Sequence, residues 1–293
     1  MASDAKASCV VFGAGALGLG FLGPELSPRC RITYLDIPAK GGLLAHLRQT
    51  GGYVFNETGL SMRPVTVTGV GGLCLGEADA EEVQGVLDAA DFVVTAVGGP
   101  SLPGLASTLA GAAARRDPDR PLRILCGENG LEIARNVRAA VEKAAGCEFG
   151  DRLRVGDTVM GRMCKVVTGP FAAGGTIRPP APGLGWAVVA EPFFGIPVQE
   201  HAVAGLPNLP SAIEPQGPDR FGASEDVKML AHNGPHAVLA CLGHLRGARH
   251  FSRLRDDAEL MEMARRLLVD EAGAALLKKH RPVLGRNEFF NYC

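Results

Sequence analysis

"SCVVFGAGALG", residues 8–18, is a short run of buried-strand residues that ends abruptly in glycines. Gly13, Gly15 and Gly18 have the G-x-G-x-x-G spacing, with Ala14, Ala16 and Leu17 between them. In a strand–turn–helix setting each glycine has its own task. Gly13 permits the tight turn, Gly15 lets a pyrophosphate approach the backbone, and Gly18 lets the helix sit close to the sheet with its amino end facing the phosphates. "RITYLD", residues 31–36, supplies the next strand and closes on Asp36, 23 residues after Gly13. A carboxylate there accepts hydrogen bonds from ribose hydroxyls and repels a 2'-phosphate, so NAD is expected over NADP. Pro24 falls where the first helix should continue, which predicts a short or kinked helix.

Working outward, "DFVVTAVG" (91–98) and "LRILCG" (122–127) repeat the pattern of a buried strand followed by a helical segment. Such alternation specifies a parallel sheet covered by helices. "GGYVFNETGLSMRPVTVTG" (51–69) breaks the rhythm and predicts an inserted β-hairpin. "VGDTVMGRMCKVV" and "WAVVAEPFFGIPV" read as strands, and the glycines and prolines of 169–185 as an exposed loop. From Glu225 onward the pattern is helical. Over 256–280, Leu260, Met263, Ala264, Leu267 and Leu268 are expected on one apolar face, with Lys278, Lys279 and His280 at the end the helix dipole prefers. The fold class is therefore α/β: a Rossmann-type parallel sheet with a hairpin insertion in residues 1–205, then a smaller, mainly α-helical substrate domain in 206–293.

Composition narrows the partners. With 46% hydrophobic and 21% charged residues the chain reads as an ordinary globular protein. Thirty basic residues against 31 acidic ones, with no long run of one sign, argue against nucleic acid and against an anionic membrane surface. The apolar run from Cys9 to Gly23 follows a lone Lys6, but its glycines make a poor signal-peptide core. The eight cysteines are scattered without a C-x-x-C pair, which predicts reduced thiols and a cytoplasmic location. A small-molecule partner and a monomer or homodimer are expected.

"KMLAHNGPHAV", residues 228–238, concentrates Lys228, Asn233 and two histidines. On an unbroken α-helix Asn233 and His236 lie about 60° apart, but Lys228 points about 140° away from Asn233. Gly234 and Pro235 suggest a remedy: a helix break with Asn233 as N-cap, letting Lys228 at one helix end converge on Asn233 and His236 at the next start. A lysine and an amide suit the transfer of hydride to or from a secondary alcohol, which needs a base for the hydroxyl proton and donors for the developing alkoxide. His232 and His236 have the four-residue spacing of a helical metal pair, but Pro235 interrupts the turn and no third ligand is suggested, so no metal is expected.

The spacing K-x4-N-x2-H resembles the signature of the long-chain polyol dehydrogenases. "FGAGALGLGFLG", "TAVGGPSL", "GEN" (127–129), "LPNLP" (206–210) and "KMLAHNGPHAVLACLG" match in order the mannitol-1-phosphate 5-dehydrogenase branch of that family, over nearly the whole chain. The resemblance implies a zinc-independent enzyme with Lys228 as general acid/base, Asn233 and Asn129 at the oxyanion, and His236 orienting a substrate hydroxyl. It also places "TAVGG" (95–99), with Val97 and Gly98, beside the cofactor, together with Asn129. The family pattern has Val-Asp-Arg where this chain has Met160, Gly161 and Arg162, and it continues well past "GRNEFFNYC". A carboxylate near the substrate and part of the substrate-domain wall are therefore expected to be missing, which leaves open whether the substrate is phosphorylated, smaller or cyclic.

Two other readings compete. Ketopantoate-type 2-ketoacid reductases also use a lysine and an asparagine after a Rossmann domain, and "NGL" (129–131) echoes them, but their lysine and asparagine stand one residue closer. A non-catalytic dinucleotide-binding module is the third.

Overall fold

A computed structural model describes residues 6–59, 61–76, 79–169, 171, 175–192 and 195–292. The chain divides into two compact units, Met1–Pro215 and Gln216–Cys293.

Twelve strands lie in the first unit or at its end: β1 Ala7–Phe12, β2 Cys30–Asp36, β3 Gly52–Glu57, β4 Arg63–Thr68, β5 Val70–Cys74, β6 Phe92–Thr95, β7 Leu122–Cys126, β8 Leu153–Asp157, β9 Cys164–Thr168, β10 Trp186–Ala190, β11 Ile196–Gln199 and β12 Ile213–Gln216. Six of them form one sheet in the order β5-β2-β1-β6-β7-β8, with every neighbouring pair parallel. β1 is apolar at successive positions because both its faces are covered. Cys9 and Val11 join one core and Val10 and Phe12 the other, the period of two that a strand imposes. The chain order reverses between β1 and β6, and that crevice is where open α/β sheets bind ligands.

The hairpin expected in 51–69 is β3 paired antiparallel with β4. It belongs to a separate four-stranded sheet, β4-β3-β10-β9. Buried Asn56 ties this sheet to the proline-rich loop: its Nδ2 donates to the carbonyls of Arg178 and Val188, and its Oδ1 accepts from the Arg178 N–H. The loop 169–185 is accordingly not exposed throughout, since Pro180 and Ala181 are buried; residues 170 and 172–174 of it lie outside the described residues. "VGDTVMGRMCKVV" is two strands, β8 and β9, with 158–163 between them, and "WAVVAEPFFGIPV" is β10 and β11, its Phe193 and Phe194 lying outside the described residues.

Pro24 neither ends nor shortens the first helix. The helix runs through a π-turn at Gly18–Leu22 into Gly23–Leu26, and the Gly23 N–H bonds the carbonyl of Gly18, five residues back. In that register the residue facing Pro24, which has no N–H, is Leu19. The Leu19 carbonyl is satisfied instead by the hydroxyl of buried Tyr53, which donates at 2.7 Å. Tyr34 donates to the Gly18 carbonyl at 2.9 Å, and the two phenol oxygens are 3.3 Å apart.

The second unit repeats this device. A helix begins at Pro218, turns π-helical over Val227–Asn233, and continues through Gly234–Leu245. The expected break before Pro235 is therefore absent, and Asn233 is no N-cap: its backbone is helical, at φ −70° and ψ −35°. A π-turn absorbs the missing proline N–H without interrupting the helix. A further helix runs from Ala258 to Lys279, with its own π-turn at Leu267–Gly273. Leu260 and Ala264 are buried as expected, but Met263 is 42% exposed, because the stripe facing the core here is carried by Leu260 and Ala264 alone. Lys279 and His280 both bond the Asp226 carboxylate at 2.6 Å, tying the two long helices together.

Replacing Tyr53 with Phe leaves the Leu19 carbonyl without its donor inside the core. A loss of about 1–3 kcal/mol is expected, read as a lower urea midpoint with an unchanged slope.

Candidate functional site

The glycine loop lies at the end of β1, beside the end of β6. Gly13 has φ +107°, and a Cβ there would sit 2.3 Å from the Ala96 carbonyl oxygen, so no other residue fits. A Cβ on Gly18 would lie 2.0 Å from the Gly13 carbonyl oxygen, which measures how tightly the helix closes on the loop. Gly15 is different: a Cβ there meets nothing within 4 Å. It borders open space, ahead of the helix that begins at Ala16. Ala14 is buried and Leu17 packs against the core.

Asp36 does more than stand at the tip of β2. Its Oδ2 accepts the Ala14 N–H at 2.8 Å and its Oδ1 the Ile37 N–H at 2.7 Å. The carboxylate thus holds the glycine loop against β2 while each oxygen keeps a lone pair for a further donor.

Sequence reasoning missed Glu128. This side chain is 7% exposed, accepts the Thr95 hydroxyl at 2.6 Å and accepts the Val97 N–H at 3.0 Å. Burial raises its pKa, while the bonds from Thr95, Val97, its own N–H and Gly98 pull the other way. It is the peg that holds "TAVGG" in place, including half-buried Val97 and exposed Gly98, the latter at φ +83°. The signal lay in "GEN": a carboxylate directly after a buried strand needs donors, and the neighbouring loop of β6 offers them. Asn129, the next residue, is exposed and precedes the helix Ile133–Ala145 without capping it. Asp157, at the end of β8, accepts the Ala134 N–H at 2.7 Å in the first turn of that helix.

The two residues that depart from the expected family pattern, Met160 and Gly161, are buried, and Arg162, which matches it, is turned into its own unit. Its side chain pairs with Glu57 at 3.0 Å and Glu25 at 3.7 Å and donates to the Glu191 carbonyl.

In the helical unit, Lys228, Asn233 and His236 lie half-buried along one continuous helix. An α-helix would set Lys228 and Asn233 on different sides. The π-turn Val227–Asn233 spaces its hydrogen bonds five residues apart, a turn length that brings positions 228 and 233 closer to one side of the helix than an α-helix does. The His236 ring lies edge-to-face with His232 at 4.7 Å and with Phe251 at 5.2 Å. Burial, then the Lys228 charge, then His236 push the His232 pKa down from 6.5 to about 4. The buried His232 Nε2 has no hydrogen-bond partner among the described residues. Among the described residues no group of three histidine, cysteine or acidic side chains could hold a metal ion.

Comparison with known proteins adds the family. Residues 7–211 match the family model described as the mannitol dehydrogenase Rossmann domain. The chain is 29% identical over 278 residues to a mannitol-1-phosphate 5-dehydrogenase of Pseudarthrobacter chlorophenolicus, covering 92% of this chain and 66% of that protein. It is 26% identical over 253 residues to a mannitol-1-phosphate 5-dehydrogenase of Anoxybacillus flavithermus, covering 86% and 63%. The chain thus spans about two-thirds of the length of these curated relatives. Among solved structures, a substrate-free D-sorbitol dehydrogenase superposes with a TM-score of 0.69 at 15% identity, over 95% of this chain and 71% of that one, which shows a shared fold.

A histidine held neutral by the fold stabilises it above its ordinary pKa, and that stability is lost as pH falls through the folded value. Between pH 6.5 and about 4 the depressed pKa of His232 is expected to lower stability, by well under the ~3 kcal/mol that the full shift implies, because solvent screens a half-buried ring. Urea titrations at pH 7.5 and pH 4 test this: His232→Gln should narrow the difference between them.

Proposed function

The chain belongs to the mannitol dehydrogenase family, and from that premise we propose that it is an NAD-dependent oxidoreductase interconverting a secondary alcohol of a polyol or sugar alcohol and the ketone. The observation that supports the chemical part is the π-turn Val227–Asn233, whose longer turn favours Lys228 and Asn233 sharing one side of their helix.

The residues of the nucleotide unit fit a dinucleotide. The open face at Gly15 receives the pyrophosphate, the helix start at Ala16 offers backbone N–H groups to it, and the free lone pairs of Asp36 accept the ribose hydroxyls. A 2'-phosphate would bring its charge against the Asp36 carboxylate, which favours NAD over NADP. When bound, the nicotinamide supplies the hydride acceptor. Every other task falls to side chains. Lys228 in its amine form takes the proton from the substrate hydroxyl. The Asn233 amide donates to the same oxygen as charge builds on it, adding no net charge of its own. His236 accepts or donates at a neighbouring hydroxyl and so fixes which carbon reacts. The assignment of Asn129 to this reaction rests on the family pattern.

Small polar polyols need no partner protein, and the reading has the chain work as a monomer or homodimer. Among the described residues no helix is long and apolar enough to cross a membrane. The free cysteines, several of them buried, suit the reducing cytoplasm.

Lys228→Ala is expected to lower kcat by about 10²–10⁴-fold on the best polyol, with NADH affinity by calorimetry within about twofold of the parent. Turnover retained across pH would reject the assignment, and turnover of 2-keto acids without ketoses would move the enzyme to another substrate class. Glu128→Ala is expected to weaken NADH binding at least tenfold, since the loop 95–99 loses its peg. A preference for NADP in the parent would remove the role given to Asp36.

A further inference from the structure

We infer that His232, together with Phe251, is a positioning residue that packs edge-to-face against the His236 imidazole and so sets the direction in which His236 presents its nitrogens. The inference rests on the proposed role of His236 toward a substrate hydroxyl.

The geometry is specific. The His232 and His236 rings are 4.7 Å apart with planes at 86°, and His236 and Phe251 are 5.2 Å apart with planes at 74°. Both contacts are edge-to-face, within the range where aromatic rings attract, and they restrict rotation of the central ring. An imidazole on a half-buried helix position otherwise turns freely about its outer torsion, which is broad and two-fold. A residue that orients a hydroxyl cannot tolerate that freedom.

The same residue could instead relay a proton from Lys228, but its hydrogen bonding speaks against this. Nε2 of His232 is buried and has no hydrogen-bond partner among the described residues, so no described side chain stands ready to take a proton from it. The ring is also neutral over the ordinary working range, since burial is the largest cause of its low pKa. A neutral ring beside His236 offers an aromatic surface and no charge. Among the described residues His232 and His236 belong to no group of three acidic, histidine or cysteine side chains that could hold a metal ion. Helical spacing explains why the ring is here: His232 and His236 are four residues apart, and the helix past the π-turn carries His236 back over His232.

The test compares His232→Ala, which removes the ring, with His232→Phe, which keeps a ring and removes both nitrogens. The full chain carries isotope-labelled histidine, and the His236 imidazole is followed by NMR without any ligand. The ring-current-shifted His236 signals of the parent are expected to persist in His232→Phe and to move to averaged positions in His232→Ala. In turnover with the polyol that the parent oxidises best, His232→Ala should lower kcat about tenfold with the NADH dissociation constant unchanged, and His232→Phe should restore most of it. Parental His236 signals in His232→Ala overturn the inference, and so does a His232→Phe protein as impaired as His232→Ala. If His232→Ala does not fold, Phe251→Ala, which truncates a 47%-exposed ring, takes its place with the same expected movement of the His236 signals. A parent that binds NADH but turns over no polyol would defeat the functional reading, while the NMR comparison still decides whether this packing positions His236.

Discussion

A proline inside a helix removes one N–H and leaves one carbonyl facing nothing, and this chain meets that constraint twice at the places its chemistry depends on. Gly23-Pro24 and Gly234-Pro235 each follow a π-turn, at Gly18–Leu22 and at Val227–Asn233. Widening the turn moves the hydrogen-bond register by one, so the helix passes the proline without breaking. In the nucleotide unit the cost is met by Tyr53, whose hydroxyl takes over the Leu19 carbonyl. In the helical unit the widened turn has a second effect, because it changes which side chains share a face. The spacing of five between Lys228 and Asn233 is awkward for an α-helix and natural for a π-turn.

Around the sheet the organising force is electrostatic. Asp36, Glu128 and Asp157 stand at or just beyond the carboxyl ends of β2, β7 and β8, and each accepts backbone N–H groups from a loop or helix start. Their oxygens replace the ladder bonds that a turning chain gives up, so the loops around the β1–β6 crevice are held by charge-assisted bonds. Holding them has an energetic cost: burial raises the pKa of Glu128 and Asp157, and the donated hydrogen bonds oppose that, joined at Asp157 by His201. On the proposed reading, loops held in this way around an open Gly15 form a preorganised surface for phosphates.

Much of this was legible in the sequence. The strand runs around 8–13, 31–36, 91–98 and 122–127, the glycine spacing and the hairpin turn depend on local chemistry, and they appear as β1, β2, β6, β7 and the β3–β4 pair. What could not be read was register. Periodicity assumes one turn length, so it set Lys228 and Asn233 apart, called for a break at Pro235 and placed Met263 on the buried face. Nor does a local pattern show a bond between residues distant in sequence. Glu128 reaches Thr95 across 33 positions and Tyr53 reaches Leu19 across 34, and these long-range bonds are what fix the loop and the first helix. His232 was visible only as half of a spacing, because its meaning depends on Phe251, which arrives from another segment.

Arg162 is committed inside its own unit. Its guanidinium sits between Glu57 and Glu25 and faces the rings of Phe55 and Phe21 at 5.4 and 6.0 Å. Burial raises the pKa of Glu25, and the arginine is the largest influence opposing that rise. Removing the cation would therefore leave buried carboxylates uncompensated, which costs more than the pair itself contributes. An arginine committed in this way cannot swing out to meet a phosphate. On the proposed reading, then, discrimination between a free and a phosphorylated polyol belongs to cations other than Arg162, and the preceding Gly161 brings no carboxylate to replace the aspartate of the family pattern.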